Sequence, residues 1–407
     1  MQHDVCVIGL GRVGLPLALS FADAGLSVLG VDNDPDVLAA LRERRMPFKE
    51  PGTDELLARV DLDLSHRAAD GAGARSIVLT LGTPSFSHIE IDMGDIRSVL
   101  DDLLPLLQRE QLVVLRSTVA PGTTEFVAGY LEKHRGFTVG EDVFVAHVPE
   151  RIAENHFLEE IATLPCIVGG VGEGSGERAA DLFGVFGTEI VSTSPVQAEL
   201  AKIWTNILRY AQFALPNLLM MECEQYEANV FDVIELINHD YPRGGMARPG
   251  FTAGACLRKD FAFAEERSSS PGMLLAVSRV HETVPLFLVN GLKARLDGSL
   301  RDRKVAVLGL SFKRDSDDLR DSLSHKLIRL LERELAHVSR HDPHVPAQSE
   351  PLDAALDGAD AVVIATNHSE FDQLLERLPA DILLVDPWNT TGSGRVFARA
   401  HELARVE

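Results

Sequence analysis

Val5-Cys-Val-Ile-Gly9-Leu-Gly11-Arg-Val-Gly14-Leu-Pro16 decides how the first half of the chain is read. A short apolar run of strand-forming type meets three glycines and then passes into a helical pattern. Gly9 permits a tight turn, Gly11 lets the backbone approach a pyrophosphate, and Gly14 lets helix and strand pack closely. The helix N-terminus then faces the phosphates. The next apolar run, Ser27–Val31, ends in Asp32. A carboxylate there accepts hydrogen bonds from the adenosine ribose hydroxyls and repels a 2′-phosphate. The glycines alone fit a plain turn. With strand, helix and acidic residue in order they point to NAD over NADP.

Outward from this stretch the same rhythm continues. Runs rich in Val, Ile and Leu stand at Ser76–Thr80, Leu112–Leu115, Val143–His147, Cys166–Val168 and Glu189–Val191, with helical stretches such as Pro16–Ala24 and Ile96–Gln108 between several of them. This pattern predicts buried parallel strands in a doubly wound sheet. From Pro195 the period becomes helical: Leu200, Ile203, Trp204, Ile207, Leu208 and Ala211 recur at helical spacing, in a stretch without glycine and with one further proline, Pro216. A loop rich in Gly, Pro and Arg follows (Tyr241–Cys256), then helix through about Leu296. Strand patterns return at Lys304–Leu308, Val338–His341, Ala361–Ala365 and Leu383–Val385, and this half also opens with strand, glycine turn and helix. The expected fold is α/β: two Rossmann-like doubly wound parallel-sheet domains, 1–194 and 297–407, joined by a central helical domain, 195–296.

Composition sets limits on this reading. A chain of 407 residues, 45% of them hydrophobic, calls for two or three packed units. Four cysteines without regular spacing fit a reduced compartment rather than a disulfide framework. The opening MQHDVCVIGL carries Asp4 where a signal peptide carries Lys or Arg, so neither secretion nor a membrane span is expected, and the location is read as cytoplasmic. A net charge of −22 disfavours nucleic acid or an anionic membrane as partner, but not a small anionic ligand.

The chain resembles the UDP-glucose/GDP-mannose dehydrogenase family through an ordered set of pieces. After Gly9–Pro16 come Ser117-Thr118-Val-Ala-Pro-Gly-Thr-Thr124, Pro149-Glu150-Arg151, Glu199-Leu-Ala-Lys202 with Asn206, Gly254-Ala-Cys256-Leu-Arg-Lys259-Asp260, and Ser311-Phe-Lys313 with Asp317-Asp318-Leu-Arg320-Asp-Ser322. Cys256 sits among small residues near Lys259, a setting that favours thiolate, whereas Cys6 and Cys166 lie in apolar strands and Cys223 in a helix. The resemblance implies NAD-dependent oxidation of a nucleotide-sugar primary alcohol in two hydride transfers. Cys256 captures the intermediate aldehyde as a thiohemiacetal, whose oxidation gives a thioester that water releases as the uronic acid.

The same resemblance implies roles for individual residues. Lys202, Asn206 and Asp260 hold a water or alkoxide at the reacting carbon, Glu150 acts as general base in thioester hydrolysis, and Thr118 positions the water. Gly9, Gly11, Arg12, Val13, Gly14, Asp32, Thr83, Thr118, Glu154, Lys259 and Arg320 fall to the cofactor. Glu150, Arg151, Ile152, Lys202, Asn206, Arg243, Arg248, Phe251, Gly254 and Lys313 fall to the substrate, and no metal is implied. Taken singly, Lys202 also reads as a helix-surface lysine, Glu150 as a strand-end solubiliser, Thr118 as an N-cap, and Asp317–Asp321 as a solvated helix start. Arg12 stands where the family often has Tyr, Ala253-Gly254 where it has two glycines, and Arg258 where Pro is common. These departures bear on the sugar and the base: a glucose-type UDP- or dTDP-hexose is favoured, with a UDP-N-acetylhexosamine as the alternative. Two other readings compete, a one-step hydroxyacid dehydrogenase of the 6-phosphogluconate type and a non-catalytic nucleotide-binding regulator. The first lacks a use for Cys256 and for the second Rossmann-like half; the second is opposed by the complete polar set. A homodimer, or an assembly of dimers built on the helical middle, is expected.

Overall fold

The structure is a computed structural model that describes residues 2–83, 94–252, 254, 257, 260, 261, 264, 265 and 272–403. Cys256 and Lys259, with Pro84, Ala253, Ala255 and Arg258, lie outside the described residues. The chain divides into two compact units, the first running to Thr205 and the second from Asn206 onward, with 264 and 265 belonging to the first.

The first unit is built on eight strands: β1 (His3–Ile8), β2 (Val28–Val31), β3 (Asp63–Ser65), β4 (Ala74–Leu79), β5 (Leu112–Leu115), β6 (Phe144–His147), β7 (Cys166–Gly170) and β8 (Ile190–Thr193). They stand in the order β3-β2-β1-β4-β5-β6-β7-β8. The strand order reverses at β1, which makes the crevice above the C-terminal ends of the parallel pair β1 and β4 the topological switch point, where ligands of such sheets bind. Alternate residues of β1 serve opposite faces: Val5 and Val7 pack into one core, Cys6 and Ile8 into the other. Both faces are covered, so the strand reads in sequence as one continuous apolar run.

The structure corrects the sequence reading in three places. β7 pairs with β6 antiparallel, not parallel, before β8 resumes parallel to β7. β8 is half-buried to exposed rather than buried. The edge strand β3 was not foreseen: it is three residues long and carries Asp63, with no apolar run to mark it.

In the second unit, β9 (Lys304–Leu308), β10 (His337–His341), β11 (Ala361–Ile364), β12 (Leu383–Val385) and β13 (Phe397–Arg399) form a sheet in the order β10-β9-β11-β12-β13. It is parallel but for β13, an antiparallel edge that the sequence reading also missed. The helical middle is one helix from Pro195 to Gln225, 31 residues with Pro216 inside it, followed by Val230–Asn238 and Met273–Arg295. The first spans about 46 Å at the usual rise. Asn229 starts the second by accepting the Phe231 N–H at 3.1 Å. No helix among the described residues is long and apolar enough to cross a membrane.

Candidate active site

In the first unit the glycine turn is held by its own backbone. A Cβ on Gly14 would lie 1.8 Å from the Gly9 carbonyl oxygen, so only glycine lets strand and helix approach this closely. A Cβ on Gly11 would meet nothing within 4 Å, which leaves the pyrophosphate position open. Asp32 braces the turn: one carboxylate oxygen accepts the Leu10 N–H at 2.6 Å and the other the Asp34 N–H at 2.8 Å. Its remaining lone pairs suit ribose hydroxyls, and the site fits NAD. Val13 precedes the helix Gly14–Asp23. Arg12, in the turn, pairs with Glu154 at 2.8 Å and lies 5.1 Å from the centre of the Phe48 ring. Two cofactor candidates from distant parts of the sequence are thereby joined.

The loops after β4 and β5 are tied together: the Thr83 hydroxyl donates to the Thr118 carbonyl at 2.8 Å, and the Ser117 hydroxyl to the Leu81 carbonyl at 2.7 Å. Beyond β6, Glu150 is buried and ion-paired with Arg116 at 2.5 Å, while its other oxygen accepts the Ile152 N–H at 2.7 Å. Arg116 also donates to the Val148 carbonyl at 3.3 Å. Arg151 turns to the Pro165 carbonyl at 2.5 Å. Glu50, fully inside, accepts the N–H groups of Asn155 and Phe157, each at 3.0 Å, and fixes the end of this segment. Arg116 and Glu50 were not singled out from sequence. Arg116 directly precedes the Ser117-Thr118 motif, and that adjacency was the one available signal.

Lys202 and Glu199 come from the first turns of the helix Pro195–Gln225, and both are buried. Glu199 accepts the N–H groups of Gly122 (2.6 Å) and Thr124 (2.8 Å) and the Thr124 hydroxyl (2.6 Å) at the start of the helix Thr123–Arg135. This locks the helix that carries Lys202 to the end of another. Burial pushes the Glu199 carboxyl up, against the pull of these three bonds. His147, at the end of β6, is fully buried, and among the described residues neither ring nitrogen has a hydrogen-bond partner. Burial pushes it down to about 3, with the Arg116 and Lys202 cations adding to the effect, so it is neutral.

In the second unit, Asn206 donates to the Asp260 carboxylate at 2.6 Å, with both residues buried. Phe251 is buried, and a Cβ on Gly254 would meet the Phe312 ring at 2.7 Å. Lys313 follows Phe312, half-buried, and its carbonyl accepts the Ser311 hydroxyl at 3.0 Å. Arg320 is exposed and pairs with Asp318 at 2.5 Å. Arg243 and Arg248 are both exposed, Arg243 donating to the Tyr241 hydroxyl at 3.0 Å. Asp315, His344, His368 and Glu370 bring one ligand atom each within 4.8 Å of one another. The His368 ring is already committed: Nδ1 accepts the Asp315 N–H at 2.9 Å, and Nε2 donates to Asp342 at 3.1 Å. The group therefore braces three loops at the C-terminal ends of β9, β10 and β11. Among the other cysteines, burial pushes the Cys6 thiol up to about 12 and raises those of Cys166 and Cys223.

Three domain models of the UDP-glucose/GDP-mannose dehydrogenase family match in order: the NAD binding domain at 3–187, the central domain at 196–284 and the UDP binding domain at 306–393. The chain is 32% identical over 379 residues, 90% of each chain, to the UDP-N-acetyl-D-mannosamine dehydrogenase of Pyrococcus horikoshii. The solved structure of the UDP-D-ManNAc dehydrogenase from that organism superposes with a TM-score of 0.87 at 30% identity over 95% of both chains. That of a UDP-glucose dehydrogenase from Pyrobaculum islandicum gives 0.86 at 28% identity, covering 99% of this chain and 96% of that one.

Proposed function

The chain belongs to the UDP-glucose/GDP-mannose dehydrogenase family and is an NAD-dependent nucleotide-sugar dehydrogenase, and from that premise we propose that it oxidises a UDP-N-acetylhexosamine of the mannosamine type at C6 to the uronate. The observation that carries the choice of sugar is the 32% identity to a UDP-N-acetyl-D-mannosamine dehydrogenase over 90% of both chains. This replaces the glucose-type sugar that the sequence alone favoured. UDP-glucose stays the second reading, because a UDP-glucose dehydrogenase shares the fold with a TM-score of 0.86.

The proposed chemistry divides among the chain's own groups. NAD, when bound, accepts hydride in each of the two oxidations. Lys202 supplies positive charge where the C6 oxygen becomes anionic, and Asn206, held by Asp260, supplies an N–H or orients a water. The Cys256 sulfur adds to the aldehyde carbon and forms a C–S bond, so that the carbon again carries a hydrogen and an alkoxide. Loss of that hydrogen as hydride leaves a thioester. Glu150 takes a proton from the attacking water, the C–S bond breaks, and uronate and thiol are released. Two NAD+ and one water are consumed per sugar. Lys313 is assigned to the nucleotide phosphates, and Arg243, Arg248 and Arg320 are retained as proposed phosphate contacts. The three-segment division at 1–194, 195–296 and 297–407 and a cytoplasmic location are proposed with it.

We further propose a dimer that closes on the helix Pro195–Gln225. Leu200 (38% exposed), Trp204 (52%), Leu208 (58%), Leu215 (58%) and Leu218 (50%) form one stripe along it, and a second copy of that stripe is the apolar partner that symmetry offers.

A panel of UDP-N-acetylmannosamine, UDP-N-acetylgalactosamine, UDP-glucose and GDP-mannose with NAD+ tests the assignment. The expected result is the highest kcat/KM for UDP-N-acetylmannosamine and two NADH per sugar consumed. A preference for UDP-glucose reverses the choice of sugar, and one NADH per sugar overturns the two-step scheme.

A further inference from the structure

Asn206, Tyr210 and Asn217 occupy one face of the helix Pro195–Gln225, and all three point their polar or aromatic groups at the segment on either side of Cys256. Asn206 holds Asp260, beyond the cysteine. The Tyr210 ring lies parallel to that of Phe261, centroids 6.1 Å apart. Asn217 holds Gly250, before the cysteine, from both sides: its Nδ2 donates to the Gly250 carbonyl at 2.9 Å, and its Oδ1 accepts the Gly250 N–H at 2.8 Å. Asn217 is 0% exposed, so these bonds have no water to replace them.

A third group keys the amide. His281, from the helix Met273–Arg295, is fully buried and stacks on the Tyr210 ring with centroids 4.3 Å apart. Its Nε2 lies 2.9 Å from the Tyr210 carbonyl, which can only accept, so Nε2 carries the hydrogen and Nδ1 the lone pair. Nδ1 is 3.3 Å from Asn217 Nδ2 and takes its second hydrogen. Every donor and acceptor of the Asn217 amide is thereby committed in one orientation, fixed by the backbone at one end and an imidazole tautomer at the other. On its far side, Gly250 (φ +152°) lies flat against Trp388, where a Cβ would come within 2.3 Å of the indole. The Trp388 ring is itself tied to the Ala365 carbonyl at 3.2 Å.

We propose that Asn217, keyed by His281, is a positioning residue for the reaction: it clamps the Gly250 peptide against Trp388 and so fixes the start of the loop that presents Cys256. The proposal rests on the reading of Cys256 as nucleophile. Without the clamp, the Gly250 peptide loses both bonds to Asn217, and the segment leading to Cys256 loses that anchor. A misplacement of an ångström at a reacting group lowers rate by up to about a hundredfold while leaving remote binding unchanged.

The test compares Asn217→Ala, His281→Ala and Gly250→Ala with the unaltered enzyme. His281→Ala removes the key that fixes the orientation of the Asn217 amide, and Gly250→Ala acts from the Trp388 side, so the idea survives misfolding of any single variant. Five quantities are read: kcat and KM for the nucleotide sugar, Kd for NAD+, the melting temperature, and the rate of Cys256 alkylation by iodoacetamide followed by peptide mass. We expect kcat to fall by about tenfold or more, with the alkylation rate changed by at least about threefold and KM and the NAD+ Kd within about twofold. Folded variants whose kcat and alkylation rate stay within about twofold of the unaltered enzyme overturn the proposal. So do variants that lose activity only in step with NAD+ binding and melting temperature, since that is a general loss of structure. If Cys256→Ala still makes uronate, the nucleophile reading fails, yet the alkylation arm still reports whether Asn217 controls the loop.

Discussion

Cys256→Ala removes the only atom proposed to bond the sugar, and it leaves Gly9–Gly14 and Asp32 untouched. Uronate formation should vanish while the NAD+ Kd stays as it was; wild-type turnover of the alanine variant rules out the thioester. Asp32→Ala should narrow the preference for NAD+ over NADP+, mainly through cofactor KM, because the carboxylate that repels a 2′-phosphate is gone. An unaltered ratio of the two specificity constants counts against that role. Arg116 offers a sharper case. Its guanidinium is the counter-charge of the buried Glu150, and Arg116→Met leaves that carboxylate inside the protein without it. Losing one partner of a buried pair costs on the order of 3–5 kcal/mol. The variant should melt several degrees lower, with uronate release slower by about tenfold because Glu150 loses the contact that fixes it. Uronate release at the normal rate shows that Arg116 does not fix Glu150 for the reaction. At this scale the sequence exposed the charged and nucleophilic candidates and hid their supports. Glu150 and Arg116, or Asn217 and His281, lie far apart in the chain and meet only after folding.

Elements were legible where burial is two-sided. β1, β4, β5, β9 and β11 each carry an unbroken apolar run of three or more residues where both faces are covered. β3 and β13 escaped because an edge strand of three residues needs no such run. The reversal at β7 escaped because strand direction is set by the connection from His147 to Cys166, and a short apolar run reads the same either way. The helical period from Pro195 was legible, but not that one helix runs through Pro216 to Gln225 and a second begins at Val230. What did not show was that its first turn caps another helix through Glu199. Glu199→Ala strips three hydrogen bonds from the start of Thr123–Arg135 and should lower the melting temperature by several degrees, in proportion to roughly 1–3 kcal/mol for buried donors left unpaired. Glu199→Gln keeps the acceptor oxygen and should recover part of the loss. Equal stability of all three proteins shows the cap to be incidental.

For the molecule as a whole, two buried neutral histidines set an acid limit. His147 and His281 are held down to about 3 and about 4 from an ordinary 6.5. Both folded values are depressed, so the stabilisation is complete above the unfolded value. It is lost as pH falls below 6.5, where the unfolded chain takes up protons that the native state refuses. Each contributes a slope of up to about 1.4 kcal/mol per pH unit. Urea midpoints taken from about pH 7 down to about pH 5 should therefore fall, and His147→Val should flatten the fall. A slope shared by variant and parent removes His147 from the account. Association is tested by dilution: Trp204→Glu with Leu208→Glu should yield a monomer by sedimentation, because both side chains stand in the exposed stripe of the helix. A dimer that persists in this variant places the interface elsewhere.

The raised thiols of Cys6, Cys166 and Cys223 carry a practical corollary. Three of the four sulfhydryls are kept protonated near neutrality by their surroundings, so a charged disulfide reagent should register one fast equivalent per folded chain and four after denaturation. That first equivalent would count competent enzyme molecules directly, turning a colour change into a measure of what fraction of any preparation can complete the second oxidation.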